Sequence, residues 1–462
     1  MSYKLREIAP ESKFSREFSF DLLQRIVPYT CIQAILHHYG AAEKRERKLN
    51  MVMMVWLLIA INLFTDCSIG HVFRKLAQGL RYVWPDPEYP LPRESAMTYR
   101  RYQLGPRPVV ALFKQCCHPI ATKETIGAFL FGLRLMALDS TIEDVPDTPA
   151  NERAFGRFSA PRGASAFPQV RCVYLVECGT HAIVDAGVWP CHTSEHVGGF
   201  RLLRSVTAGM LLMWDRGFHD YEMFRLVRER HAHVLARLSA LIQPEYVRIL
   251  PDGSRLAYLY PAGYRRKKQA ERLLVRVIEY TIADPARNGY HESHRVVTTL
   301  LNPQTAPALE LVVAYHERWE IEITIDEVDT HQRLINHPLR SKKPVGVIQE
   351  IYALLIAHFV VRNLMHQAAL EQHIDPDRLS FLGAIRLVQA AIPEIQMTCP
   401  DHVPLVVVRL VHDIGKERLP KRRQRCNPRV VKRKMSNFSL KRLEHLQPPK
   451  PMGSFRESVL LI

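Results

Sequence analysis

Two short apolar runs constrain this chain most: LRLMAL stops at Asp139, and MLLMW stops at Asp215. Runs of about five or six residues between polar turns are too short for a buried helix and read as strands covered on both faces. Helix-like segments follow each of them, at 195–205 and 220–229, with a further strand at 234–238. Strands alternating with helices predict an α/β core, here with its strands ending in carboxylates. Two more strands, 170–177 and 181–189, flank the turn Cys178-Gly179-Thr180. The segment 144–168, rich in Gly, Pro, Ser and Ala, reads as lying outside the core.

The rest of the chain is arranged around that core. Up to about residue 130 the pattern is helical. Segment 21–39 carries Leu22, Leu23, Ile26, Ile32, Ile35 and Leu36 on one face, Pro28 marks a break, and 51–64 is apolar all round. Segments 95–103 and 108–116 flank Leu104-Gly105-Pro106, with Tyr99, Arg100, Arg101 and Tyr102 on the first. A helical hairpin in a bundle is the plainer reading of that pair, and a helix-turn-helix contact with DNA is the other. Strand patterns at 246–250, 255–260, 273–282 and 295–301, with a hairpin turn at Asp252-Gly253, predict a β-rich insertion. Helix returns over 307–335, 345–366 and 380–392. The expected division is a helical, DNA-binding 1–130, the first part of the core over 131–246, the β-rich insertion over 247–301, the second part of the core over 302–395, and a basic tail over 396–462.

Charge narrows the partners. The chain has 63 Lys and Arg against 46 Asp and Glu, a formal charge of +17 over 462 residues. Polyanions therefore lead as partners, nucleic acid ahead of a membrane surface. A hydrophobic content of 47% excludes a wholly disordered chain. The most apolar stretch, 51–64, is shorter than the roughly 20 residues that span a bilayer, so no membrane partner is expected. Glu7, Glu11 and Glu17 leave no room for a secretory signal, and nine scattered cysteines read as reduced thiols, which together predict a cytoplasmic protein. Arg265, Arg266, Lys267 and Lys268 form a basic run in the insertion, and 416–442 holds twelve Lys or Arg with Glu417 its one acid. Both suit salt-sensitive contact with DNA, against the default of solvated segments.

Asp139, Asp215 and Glu322 are the candidate catalytic acids. Hard oxygen ligands suit two Mg2+ ions about 4 Å apart, which assist in-line phosphoryl transfer. On a continuous helix Tyr315, Arg318, Glu322 and Asp329 project from one face. There Arg318 grips phosphate, Tyr315 donates to it, and Trp319 stacks on an exposed base. The competing reading is a solvated helix laced by ion pairs such as Arg318–Glu322. Cys172, Cys178, His181, Cys191, His192 and His196 invite a zinc site but lack the usual paired spacing. No phosphate-binding loop of the G-x4-G-K-[ST] type occurs.

The order LDST (138–141), WDRGFHD (214–220) and Y-x2-R-x3-E (315–322) resembles the DDE transposases of the insertion-element-4 family. DVPDTPAN (144–151) and the residues Asp326, Glu327, Thr330 and His331 after YHERWEIE extend the likeness. The resemblance implies an RNase H-like core interrupted by a β insertion before the glutamate. It also implies two Mg2+ held by Asp139, Asp215 and Glu322, with Mn2+ as a substitute. Cut-and-paste DNA transposition would follow, on terminal inverted repeats and target DNA, by a homodimer in a synaptic complex, with hairpin intermediates at the element ends. A catalytically decayed DNA-binding protein and an RNase H-like nuclease without strand transfer are the alternatives. One position departs from the family: Asp329 stands where the signature lysine belongs, placing like charge toward phosphate. Reduced activity is expected, with His331 or Arg333 as the compensating cation.

Overall fold

The computed structural model describes residues 3–18, 21–45, 47–86, 88–160, 163–239, 241–261, 272–333, 337–420, 430–431, 439–443 and 450–462. The chain forms two compact units. A helical unit takes Met1–Ala128, Asp139–Ser205 and Glu320–Leu419, and a sheet unit takes Phe129–Leu138, Val206–Trp319 and Pro420–Ile462. This grouping departs from the five consecutive segments expected from the sequence, because helices far apart along the chain bury each other.

The helical unit is built on Pro344–Glu371, 28 residues with almost no polar face. It packs against Met51–Ile61, Arg107–Cys116, Phe381–Met397 and Val403–Lys416. Every residue of Met51–Ile61 is buried, and the Asn50 side chain caps it by accepting from the Met53 N–H at 2.8 Å. A helix without a polar stripe has to be covered on most sides, and these two are. Pro344–Glu371, rather than 51–64, is also the one helix among the described residues long and apolar enough to cross a membrane, and 83% of its most apolar window is buried in the protein. Pro28 does break the 21–39 segment, standing as the N-cap of Tyr29–His38. Two expectations need correction. The 396–462 region is more than a basic tail, since Val403–Lys416 buries Val406, Val407, Leu410, Val411 and Ile414 at helical spacing. The 144–168 segment contains the helix Pro149–Phe155, whose Asn151 is fully buried and donates to the carbonyls of Pro146 and Ser341.

The strands of three or more residues among the described residues are β1 (Leu133–Asp144), β2 (Gln169–Glu177), β3 (Ala182–Pro190), β4 (Met210–Trp214), β5 (His233–Arg237), β6 (Glu245–Ile249), β7 (Arg255–Leu259), β8 (Leu273–Ile282), β9 (His294–Thr298) and β10 (Val459–Leu461). In the helical unit β2 and β3 form an antiparallel hairpin. In the sheet unit the order is β1-β4-β5-β9-β8-β7-β6, with β10 also on β8. The first half of β1 runs parallel to β4, and β4 parallel to β5, while the remaining pairs are antiparallel. Parallel strands need a crossover, here the helix Tyr221–Glu229 between β4 and β5. The whole of β4 is buried, as its unbroken apolar run predicts. The antiparallel strands lie within a few residues of their expected bounds. The Asp252-Gly253 turn is held by Gly253 at φ +82° and by the buried Arg276, which ion-pairs with Asp252 and donates to Ser254 Oγ at 2.7 Å.

Candidate active site

Asp139 is not the end of its strand. β1 continues through Asp144, because the β-branched Thr141 and Ile142 sustain an extended backbone beyond the apolar run. Asp139 Oδ1 accepts from the Ser140 N–H at 2.8 Å. Next to it Ser140 Oγ donates to Glu195 at 2.7 Å and accepts from Arg171 at 3.2 Å, with Arg171 and Glu195 3.8 Å apart. The sequence reading passed over Arg171 and Glu195, whose one signal was charge on otherwise apolar elements.

Asp215 follows β4 directly and caps the short 3-10 turn Arg216–Phe218, its Oδ1 accepting from the Gly217 N–H at 2.8 Å. Tyr315 reaches the same strand end: its hydroxyl donates to the Trp214 carbonyl at 3.3 Å. The bond expected to go to a DNA phosphate is thus made to the residue preceding Asp215. Burial pushes the Tyr315 pKa up to about 12, so the phenol stays protonated. The Arg318 guanidinium lies 5.9 Å from the Tyr315 ring centre. Trp319 is 52% exposed and presents a ring to solvent.

The expected single helix over 307–335 is divided. Ala308–Glu317 ends at Arg318, Trp319–Asp326 follows, and Glu327–Gln332 is a π-helical turn. A wider turn shifts the angular phase, so the one-face arithmetic does not carry through to Asp329. Tyr315, Arg318, Trp319 and Asp215 belong to the sheet unit, whereas Asp139, Glu322 and Asp329 belong to the helical unit. Asp139, Asp215 and Glu322 are all half-buried. Each of the three carboxylates is reachable from water, and oxygen donors of this kind suit a hard divalent cation.

At the lysine position Asp329 turns inward. Thr141 Oγ1 donates to its Oδ2 at 3.2 Å, and Arg333 sits 3.9 Å from its Oδ1 while ion-pairing with Glu143. Burial, then the Glu143 carboxylate, push the Asp329 carboxyl up to about 9 against the pull of Arg333. Asp329 thus faces Thr141 and Arg333 within the helical unit. Of the two expected substitute cations, Arg333 serves Glu143, and His331 is exposed and lies 3.5 Å from Asp326.

The arginines of the proposed DNA helix are also corrected. Arg100 is buried, ion-paired with Glu43, and donates to the Leu49 carbonyl at 3.2 Å and Gln103 at 2.9 Å. Arg101 donates to Gln349 at 3.2 Å and to Ser341 and the Gly346 carbonyl, both at 2.8 Å. Both guanidinium groups hold helices together, as the hairpin reading of this pair predicts. Arg265, Arg266, Lys267 and Lys268, with most of the 416–442 basic stretch, lie outside the described residues. The cysteines among the described residues are free thiols, and His181 gathers with Glu320 and Asp377 rather than with Cys172, Cys178 or Cys191.

Two family models match the chain. Residues 17–114 match the family model described as insertion element 4 transposase N-terminal. Residues 130–360, half of the chain, match the transposase DDE domain, a span that contains Asp139, Asp215 and Glu322. The chain is 27% identical over 409 residues to transposase InsG for insertion sequence element IS4 of Escherichia coli (strain K12), covering 87% of this chain and 89% of that relative. It is 25% identical over 216 residues to InsZ of the same strain, covering 46% of this chain and 69% of InsZ.

Proposed function

We propose that this chain, which belongs to the insertion-element-4 family of DDE transposases and so acts on DNA, performs cut-and-paste transposition with Asp139, Asp215 and Glu322 as its catalytic acids. The observation that carries the reading is a strand register. Ala137 pairs with Met213 across parallel β1 and β4, and each aspartate stands two residues beyond that couple along its own chain.

DDE domains are metal-dependent and RNase H-like, and the three carboxylates would hold two Mg2+, or Mn2+ in their place. The ions supply a cationic clamp on the reacting phosphodiester and activation of the nucleophile. The remaining work falls to the protein. Arg318 takes up phosphate charge, Trp319 stacks on an unpaired base, and Tyr315 fixes the strand end that carries Asp215. The basic run 265–268 and the 416–442 stretch add salt-sensitive affinity. Water attacks phosphorus at the element end, the bond to the 3′-oxygen breaks, and the freed 3′-hydroxyl keeps a proton from that water. This hydroxyl then attacks a target phosphodiester, and the target's own 3′-oxygen leaves. Two element ends react together, so the N-terminal helices bind the terminal inverted repeats within a homodimeric synaptic complex.

The test is nicking of duplex bearing the element's end sequence, followed by joining to a second duplex. Nicking in Mg2+ or Mn2+ that disappears in Asp139→Asn, with joined product in the parent, supports the reading. Asp329 in place of the family lysine is the observation favouring a DNA-binding protein without chemistry. Specific binding with no cleavage in either metal would establish that rival, and cleavage without joining would leave a nuclease.

A further inference from the structure

We infer that His181, Glu320 and Asp377 form a second divalent-metal site, made of one imidazole nitrogen and two carboxylates, which pins the helix bearing Glu322. It uses none of the three acids assigned to catalysis and does not depend on the transposase reading.

The three groups come from distant parts of the helical unit: the turn after β2, the helix Trp319–Asp326, and the 3-10 turn Pro376–Arg378. One ligand atom from each lies within 4.8 Å of the other two. His181 Nε2 is 2.9 Å from Asp377 Oδ1 and 4.0 Å from Glu320 Oε2. His181 is 1% exposed, and its Nε2 is a buried nitrogen with no hydrogen-bond partner among the described residues. Atoms about 2.1 Å from a common metal stand roughly 3 to 3.5 Å from one another. The Asp377 approach is close to that spacing, and Glu320 Oε2, at 4.0 Å, would move inward on binding.

The surroundings match what a metal-bound histidine requires. Its other nitrogen, Nδ1, is 3.4 Å from Glu327 Oε1 and in contact with the Arg362 guanidinium, so buried groups hold the ring from behind. Glu327 is held in turn by Arg362, whose Nε donates to Oε2 at 2.8 Å and which also contacts Nδ1, and by His358 at 3.2 Å. With His181 neutral, Glu320, Glu327 and Asp377 exceed Arg362 by two negative charges, the charge of one divalent ion. The ring is aimed inward by a strained turn. His181 itself has φ +57°, and Gly179 has φ +81° where a Cβ would meet Ala128 at 2.8 Å. The Gly179 N–H donates to Glu320 Oε2 at 2.5 Å, orienting the second ligand. A mixed nitrogen and oxygen set favours a borderline ion, Zn2+ before Mg2+.

The test uses the full, tag-free chain carrying Asp139→Asn, Asp215→Asn and Glu322→Gln, stripped with chelator and dialysed against Zn2+. One Zn2+ per chain is expected by elemental analysis. Adding Asp377→Asn or His181→Gln should weaken binding at least about tenfold with the circular dichroism spectrum unchanged. Should those variants unfold, Co2+ loaded into the triple variant provides the second readout: its visible absorption should shift on Glu320→Gln. No ion retained by the triple variant, or retention indifferent to all three ligand substitutions, overturns the site. Failure of the parent chain to nick DNA would sink the catalytic reading while leaving this result standing.

Discussion

Glu320 and Glu322 stand two residues apart on one helix and live in different media. Glu322 is half-buried and reachable from water, whereas Glu320 is 6% exposed and its carboxylate takes the Gly179 N–H. The division continues along the stretch, with Asp326 exposed and Glu327 buried among Arg362, His358 and His181. Burial opposes the charge on Glu327, but Arg362 and His181 outweigh it and hold its pKa well below the carboxylate range. A run of acids on a helix therefore serves two purposes at once. The inward acids fasten the element, and the outward ones stay reachable from water.

The sharpest break of that comparison is functional. Asp139→Asn, Asp215→Asn or Glu322→Gln should each lower metal-dependent nicking by about a thousandfold, roughly 4 kcal/mol of barrier. Denaturant unfolding of the three variants should stay close to the parent. A large stability loss in Glu322→Gln would mean that this acid too is structural. The mirror experiment is Arg362→Met, which strands Glu327 in the interior. Breaking a buried pair of this kind costs about 3 to 5 kcal/mol, read as a lowered urea midpoint. A midpoint within error of the parent would show that the inward acids do not hold the helix.

Asp329 sharpens the comparison through pH. Its folded-state pKa, about 9, exceeds the ordinary aspartate value near 4. Between those limits the folded chain holds a proton that the unfolded chain has lost, so this residue's contribution to stability falls as pH rises, on the order of 1 kcal/mol per unit. Asn cannot lose that proton and still accepts from Thr141. Asp329→Asn should therefore gain on the parent steadily from pH 5 to pH 8 in urea unfolding. A difference that stays flat over that range would mean that Asp329 is ionised when folded.

What could be read in advance follows from how local each cause is. The fully apolar β4 and the alternating β8 declare themselves within about ten residues, and Asp215 was found because it follows such a strand. Asp329 could not be read that way: its state depends on Glu143, which lies far upstream, and on a π-helical turn that no spacing rule anticipates. Arg100 and Arg101 misled because exposure was assumed from charge, whereas their partners Glu43 and Gln349 lie far off in sequence. Val403–Lys416 was passed over since the basic composition beginning at its last residue masked the apolar stripe before it.

Tyr315 gives the smallest effect and the finest distinction. If its hydroxyl serves the Trp214 carbonyl, Tyr315→Phe removes one neutral hydrogen bond worth about 0.5–1.5 kcal/mol. The loss would appear as a fall in kcat of less than about tenfold, because Asp215 is held less firmly, with the affinity for end DNA and its salt dependence unchanged. A phosphate contact would behave differently. Arg318→Ala, which removes a cation, should weaken binding and lower the slope of log affinity against log salt by about one. Tyr315→Phe following Arg318→Ala in affinity, rather than in kcat alone, would return the phenol to the DNA and leave the Asp215 strand end to be fixed by other contacts.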